Sequence, residues 1–234
     1  MKSTSTTHKK KSSAKKEITD NSFPIVAIGA SAGGLEAITE LLKNLSTNTG
    51  MAFIYVQHLS PDHKSILTSL LSRSTKMKVQ EVTNRVQMKP DNFYVIPPDK
   101  EMAVLDGHIK LTPRSKDRIV HLPIDTFFCS LAEKHKEGAI GIILSGSASD
   151  GTRGLSAIKE AGGLTFAQDD SAKFSSMPKS AITAGAVDFV LSPKEIALEL
   201  TRLSKHDYVK REVLRAGKED EIENSNPDLK IIPS

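Results

Sequence analysis

The chain has 234 residues, enough for one well-cored domain of ordinary size. Its composition, 38% hydrophobic and 26% charged, predicts a soluble globular protein, and no apolar run approaches the ~18 residues of a membrane span. The single cysteine, Cys129, excludes an internal disulfide and fits a reducing compartment, and we expect it to pack in the core.

The net charge of +4 belongs to the first 22 residues, which hold six lysines against Glu17 and Asp20, while the remaining residues are balanced. Residues 1–22 contain almost nothing apolar, so we predict a disordered basic leader there. No aromatic residue is interleaved with the lysines, which disfavours a nucleic-acid-binding arm. The folded domain is predicted over residues 23–203, followed by a charged tail or linker over residues 204–234.

The domain begins with a strand, a tight glycine turn and a helix. Residues 25–28 form a short apolar run typical of a strand buried on both faces, and helical spacing begins at Leu35. Between them, Gly29-Ala-Ser31-Ala-Gly33 matches the G-x-S-x-G pattern that presents a nucleophilic serine on a strand-to-helix turn. A phosphate-binding loop, which would need glycine in place of Ser31, and a serine that caps the helix are the alternatives that this stretch leaves open.

Strand-like and helical segments alternate along the rest of the chain, so we predict a three-layer, doubly wound α/β fold with a mostly parallel sheet. A β-hairpin insertion is predicted around the Asp106-Gly-His turn. The predicted strands are residues 25–28, 51–56, 78–82, 93–96, 102–105, 109–111, 139–144, 164–167 and 186–191. The predicted helices are residues 35–44, 66–71, 123–131, 155–161, 178–184 and 193–203.

Three of the predicted strands are followed by reactive side chains: Ser31, His58 and Asp150. Because chemistry in such folds lies outside the carboxyl ends of the strands, these groups could converge as nucleophile, base and orienting carboxylate. Taken singly, His58 could be an ordinary surface residue, and Asp150 could cap the helix after Gly151. The chain order Ser…His…Asp differs from that of α/β-hydrolases, but triads recur in several orders.

These motifs resemble those of the chemotaxis protein-glutamate methylesterases, the CheB family. The resemblance covers about residues 23–203 and rests on residues 29–34, 56–58 and 144–151, which match the three catalytic motifs, with further matches at residues 94–98 and 171–182. It implies a cytoplasmic serine esterase that hydrolyses glutamate γ-methyl esters on chemoreceptor signalling helices and also deamidates glutamine. It implies no cofactor, no metal, no nucleic acid and no membrane insertion.

The resemblance also assigns residues. It makes Ser31 the nucleophile, His58 the general base and Asp150 the orienting acid. Backbone N–H groups near Ala32, Gly33 and Ser147 are the candidates for holding the oxyanion.

The chain departs from the family pattern in three respects. Family members typically carry an N-terminal receiver domain, whereas only the basic leader precedes Phe23 here. Ala32 stands where the family often has threonine, and Ser147-Ala148 replaces a Met-Gly pair. The receiver-less arrangement and Ala32 are similar to proteins in which this domain is fused to a CheR-type methyltransferase, so we expect such a partner, fused or separate.

Two other functions stay open at this point. A nucleotide- or phosphate-binding module would use the glycine turn, but it lacks the second glycine and has Gln57-His58 where a ribose-binding acid is expected. A non-catalytic interaction domain is allowed by the altered residues before Asp150.

Overall fold

A computed structural model describes residues 23–57, 66–105, 107–114 and 121–205. The strands within these ranges are β1 (Ile25–Ala30), β2 (Ala52–Gln57), β3 (Lys78–Glu81), β4 (Val86–Gln87), β5 (Asn92–Val95), β6 (Lys100–Leu105), β7 (His108–Pro113), β8 (Ala139–Ile143), β9 (Leu164–Gln168) and β10 (Phe189–Leu191). The helices are α1 (Gly34–Asn44), α2 (Leu67–Leu71), α3 (Pro123–His135), α4 (Thr152–Glu160), α5 (Ser176–Thr183) and α6 (Pro193–Leu203), with a 3₁₀ turn at Lys136–Gly138.

The main sheet has the strand order β10-β9-β8-β1-β2-β5-β3, and every pairing in it is parallel. Strand β1 is central, with β2 on one side and β8 on the other. A small antiparallel sheet, β4-β7-β6, forms the insertion. The predicted α/β fold with a mostly parallel sheet is therefore confirmed.

Helices cover both faces of the main sheet, which explains why β1 is apolar at every position. Ile25 and Ala27 belong to the core that includes residues of α3, α4 and α5, while Val26 and Ile28 belong to the core that includes residues of α1, α2 and α6. The insertion packs on α3, where the Val104 N–H donates to the Ser130 hydroxyl at 3.0 Å. None of the helices described is long and apolar enough to cross a membrane.

Several element boundaries differ from the predicted ones. Strand β10 begins at Phe189 instead of residue 186. Ala186 donates to the Ala181 carbonyl at the end of α5, and the Thr165 N–H of the neighbouring strand β9 donates to the Asp188 side chain instead of to a main-chain carbonyl. The insertion holds a third strand, β4, that was not predicted. Its hairpin strands are longer than predicted: β6 begins two residues earlier, at Lys100, and β7 runs from His108 to Pro113 instead of residues 109–111.

Candidate active site

Ser31 directly follows β1, at the turn into α1. The N–H of Gly34 donates to the Ser31 carbonyl at 2.9 Å, which closes the turn. Gly33 has a φ of 71°, and a Cβ atom there would lie 2.6 Å from the Ser145 hydroxyl, so both conformation and space require glycine. The N-cap residue of α1 is Gly33, with no side-chain cap hydrogen bond, so the alternative in which Ser31 caps the helix is wrong.

The loop that follows β8 is bonded directly to the Ser31 turn. The Ser31 N–H donates to the Ser145 carbonyl at 3.0 Å, and the Ser145 hydroxyl donates to the Ala32 carbonyl at 2.8 Å. The same hydroxyl accepts the Phe174 N–H at 3.0 Å. Ser145 thus holds the serine turn, its own loop and the segment around Phe174 together.

The segment of residues 169–177 is bonded to the loop that follows β8. The Gly146 N–H donates to the Phe174 carbonyl at 2.9 Å, and the Met177 N–H donates back to the Gly146 carbonyl at 3.1 Å. A Cβ atom at Gly33 would lie 3.1 Å from the Phe174 ring, whose residue is 42% exposed. An exposed aromatic side chain therefore stands beside the Ser31 turn.

Asp150 is buried at the end of the same loop and binds the start of α3. Its Oδ2 accepts the Ile124 N–H at 3.0 Å and its Oδ1 accepts the Asp125 N–H at 2.9 Å. A helix N-terminus is a favourable place for a carboxylate, because the unpaired N–H groups and the helix dipole point towards it. The alternative in which Asp150 caps the helix after Gly151 is wrong, since that helix is capped by another residue.

The residue that caps α4 is Asp125, which the sequence did not single out. Its Oδ1 accepts the Gly151 N–H at 3.0 Å and the Gly154 N–H at 2.7 Å. Burial, reinforced by the Asp150 charge, raises the pKa of Asp125 above its usual value, although the Gly154 hydrogen bond opposes the shift. Two carboxylates thus share the junction between α3 and α4.

His58 lies outside the described residues, so only its approach along β2 is defined. Strand β2 ends at Gln57, which pairs with Ala30 immediately before Ser31. The buried Tyr55 hydroxyl donates to Gln57 Oε1 at 3.1 Å, and burial raises the pKa of Tyr55, so it stays a donor. The last residues of β1 and β2 are therefore paired with each other, so the two strands end side by side.

Some backbone N–H groups around Ser31 are hydrogen-bonded within the protein and others are not. Those of Ser31 and Gly146 are, as described above. Within the described part of the chain, the backbone N–H groups of Ala32, Gly33 and Ser147 donate to no protein acceptor. The predicted donors thus remain available.

A small cleft of about 50 Å³ opens beside the end of β2, between that strand and the insertion. It is lined by the acidic Asp99 and by the basic Lys100 and Arg114. His121, which also lines it, has its Nδ1 3.4 Å from Glu101 Oε1. The residues lining it are Gln57, Ile96, Pro97, Asp99, Lys100, Arg114, His121 and Pro123.

Fold and site together define a class: a three-layer α/β protein with a serine elbow on its central strand and a buried aspartate beyond the neighbouring strand. Residues 26–200 match the CheB methylesterase family. The chain belongs to this family, as its sequence motifs predicted. A nucleotide-binding module finds no support.

Individual relatives agree with this assignment. A putative protein-glutamate methylesterase/protein-glutamine glutaminase of Leptospira interrogans is 32% identical over 81% of this chain and 99% of its own length. The methylesterase FrzG of Myxococcus xanthus is 33% identical over 76% of this chain, which spans 54% of that protein. The CheB methylesterase catalytic domain of Thermotoga maritima superposes with a TM-score of 0.72 at 30% identity, covering 77% of this chain and 98% of that domain.

Proposed function

We propose that this domain hydrolyses glutamate γ-methyl esters on a methylated signalling protein, with Ser31 as nucleophile, His58 as general base and Asp150 as orienting acid. The observation that carries this is the strand order β8-β1-β2, in which Ser31 follows the middle strand. Ala30 pairs with Gln57, so Ser31 and His58 follow partnered residues. On the other side, the loop towards Asp150 is bonded to Ser31 through Ser145.

The reaction follows the serine-triad scheme. Ser31 Oγ attacks the ester carbonyl carbon while His58 takes the hydroxyl proton, and Asp150 holds the imidazole orientation. The N–H groups of Ala32, Gly33 and Ser147 receive the developing oxyanion, and one such donor is typically worth about 3 kcal/mol. Collapse expels methanol with the proton from His58, and water then releases the free glutamate from Ser31 by the same steps.

The same groups would act on glutamine, with ammonia as the leaving group, and we propose deamidation as a second activity. The relatives named both methylesterase and glutaminase support it. The proposed substrate is a chemoreceptor signalling helix, and the proposed location of the reaction is the cytoplasm. Sequence resemblance alone supports a CheR-type methyltransferase as partner. The proposed domain of residues 23–203 contains all the strands and helices described above.

The test is methanol release from a methylated receptor fragment, combined with labelling by a serine-directed fluorophosphonate. We expect release by the wild-type protein, labelling only at Ser31, and neither in Ser31→Ala. That variant should melt like the wild type, because it removes one oxygen at a turn. Labelling elsewhere, or full activity in Ser31→Ala, would refute the assignment, and an unlabelled, inactive wild-type protein would indicate a non-catalytic interaction domain.

A further inference from the structure

The N-termini of α3 and α4 cap each other through two aspartates. Asp150 precedes α4 in the chain but accepts N–H groups from α3, at 2.9 Å and 3.0 Å. Asp125 lies in the first turn of α3 but accepts N–H groups from the start of α4, at 2.7 Å and 3.0 Å. Each carboxylate therefore accepts N–H groups at the start of the other helix, where these groups have no partner within their own helix.

These hydrogen bonds form a closed ring. The Asp125 main chain donates to the Asp150 side chain, and Gly151, the residue after Asp150, donates to the Asp125 side chain. Asp150 is consequently held twice: by the N–H groups that its oxygens accept, and by the anchoring of the next residue. Removing the Asp125 side chain breaks the second attachment and leaves buried N–H groups without an acceptor, which is costly.

Packing leaves little room for the ring to shift. A Cβ atom at Gly29 would lie 2.5 Å from Ile124 Cγ2, and one at Gly151 would lie 2.8 Å from the same atom. The Ile124 side chain is therefore in close contact with both the strand that leads to Ser31 and the residue after Asp150. A displacement of the start of α3 would therefore displace both β1 near Ser31 and Gly151.

We propose that Asp125 is a positioning residue of the esterase, which holds the Asp150 carboxylate at the N-terminus of α3 in the orientation that the catalytic imidazole needs. This rests on the proposed function. Asp125 touches no substrate in this scheme and acts only through Asp150. Its Oδ1 alone accepts both N–H groups, so asparagine can replace it, whereas alanine cannot.

The kinetic test compares Asp125→Ala with Asp125→Asn on the methylated receptor fragment. We expect kcat of Asp125→Ala to fall roughly 10- to 100-fold with KM unchanged, the size of effect that a displaced catalytic group has. Asp125→Asn should recover most of the loss. The double variant Asp125→Ala/Asp150→Ala should be no slower than Asp150→Ala, because groups that act as a unit are not additive.

Asp188→Ala is the matched control. Asp188 Oδ2 also accepts a backbone N–H, that of Thr165 at 3.0 Å, but it does so at the amino end of the edge strand β10, whereas Asp150 lies beyond the carboxyl end of β8. We expect this variant to lose thermal stability and keep its kcat.

Amide hydrogen exchange supplies a readout that does not depend on activity. Asp125→Ala frees the Gly151 and Gly154 N–H groups directly, whatever its role. The informative amide is that of Ile124, whose acceptor is Asp150: we expect it to exchange faster in Asp125→Ala, towards its rate in Asp150→Ala, and unchanged in Asp188→Ala.

Wild-type protection of Ile124 in Asp125→Ala, a wild-type kcat in that variant, or an equal loss in Asp125→Asn would each overturn the proposal. An inactive wild-type protein would instead refute the proposed function. In that case the exchange at Ile124 would still decide whether Asp125 holds Asp150.

Discussion

Ser31 and Ser145 are bonded through the main chain, with the Ser31 N–H donating to the Ser145 carbonyl at 3.0 Å. The Ser145 hydroxyl adds a second link by donating to the Ala32 carbonyl at 2.8 Å. The proposed nucleophile is thus fixed relative to the loop that ends at Asp150. Since Ser145 also accepts the Phe174 N–H, one hydroxyl couples three segments.

Replacing this hydroxyl should therefore cost both stability and rate. Ser145→Ala leaves the Phe174 N–H without its acceptor, so we expect a loss of about 1–3 kcal/mol in the free energy of unfolding. The serine turn also loosens, and kcat should fall by roughly tenfold or more. Chemical denaturation and methanol release measure the two effects.

Ser130→Ala provides the comparison. The Ser130 hydroxyl likewise accepts a backbone N–H, that of Val104 at 3.0 Å, and donates to the Phe127 carbonyl at 2.8 Å, but it joins α3 to the insertion. We expect a similar loss of stability with an unchanged kcat. Equal losses of kcat in both variants would show that the Ser145 effect is only one of stability.

Ala148 carries backbone strain that glycine should relieve. It adopts a φ of 66°, in the left-handed region that costs a residue with a Cβ atom roughly 1–2 kcal/mol. Against this stands the larger chain entropy of glycine, worth about 0.4–1 kcal/mol. We expect Ala148→Gly to raise the free energy of unfolding by up to about 1 kcal/mol, measured by denaturant titration.

Ala157→Gly should have the opposite sign. Ala157 lies inside α4, where glycine costs about 1 kcal/mol relative to alanine. If Ala148→Gly destabilises the protein as much as Ala157→Gly does, the left-handed conformation of Ala148 does not strain the folded state.

We expect Phe174, beside the Ser31 turn, to contact an incoming protein substrate. The residue is 42% exposed, and covering its ring should contribute about 1 kcal/mol to binding. We expect Phe174→Ala to raise KM for a methylated receptor fragment several-fold. The rate with a small aryl ester should not change, because the backbone hydrogen bonds of Phe174 are retained.

Phe189→Ala controls for the loss of an exposed ring. Phe189 is 40% exposed but stacks on Phe166 at the edge of the sheet, with a centroid separation of 5.1 Å. We expect its KM to match the wild type. A rise in KM in both variants, or a loss of small-ester hydrolysis in Phe174→Ala, would contradict the assignment.

The sequence predicted the sheet and the placement of Ser31 because both depend on local patterns. An apolar run followed by a glycine turn and helical spacing defines β1, its turn and α1 with no knowledge of the rest of the chain. The three strand ends could be matched because carboxyl ends of parallel strands meet at one edge. His58 lies outside the described residues, so its role stays a prediction.

Long-range capping could not be predicted. Asp125 looks like an ordinary acid in the first turn of a helix, and nothing local indicates that its partners are Gly151 and Gly154, more than 20 residues away. The shortening of β10 has a similar origin, since the Asp188 side chain accepts the N–H of Thr165 in the neighbouring strand β9. In both cases a side chain bonds to a backbone N–H far along the chain, so no local pattern indicates the bond.

Asp125 and Asp188 should give the stability of the protein opposite pH dependences. Burial raises the pKa of Asp125, so folding penalises its ionised form, and this cost grows as the pH rises through the unfolded and then the folded pKa. For Asp188, burial is outweighed by hydrogen bonds from Lys159 and Thr165, which lower its pKa. The stability that Asp188 contributes is present above its unfolded pKa and lost as the pH falls through the folded one.

Denaturant titrations of the wild type, Asp125→Asn and Asp188→Asn between about pH 3 and pH 7, a range that brackets the usual Asp pKa, separate the two signs. The stability of Asp125→Asn relative to the wild type should increase as the pH rises, because asparagine cannot ionise. That of Asp188→Asn should decrease over the same range, because the wild type alone gains its ion pair with Lys159, 3.0 Å away. Parallel curves for Asp125→Asn and the wild type would show that the Asp125 carboxyl titrates alike in the folded and unfolded chain, and that burial between α3 and α4 does not penalise its charge.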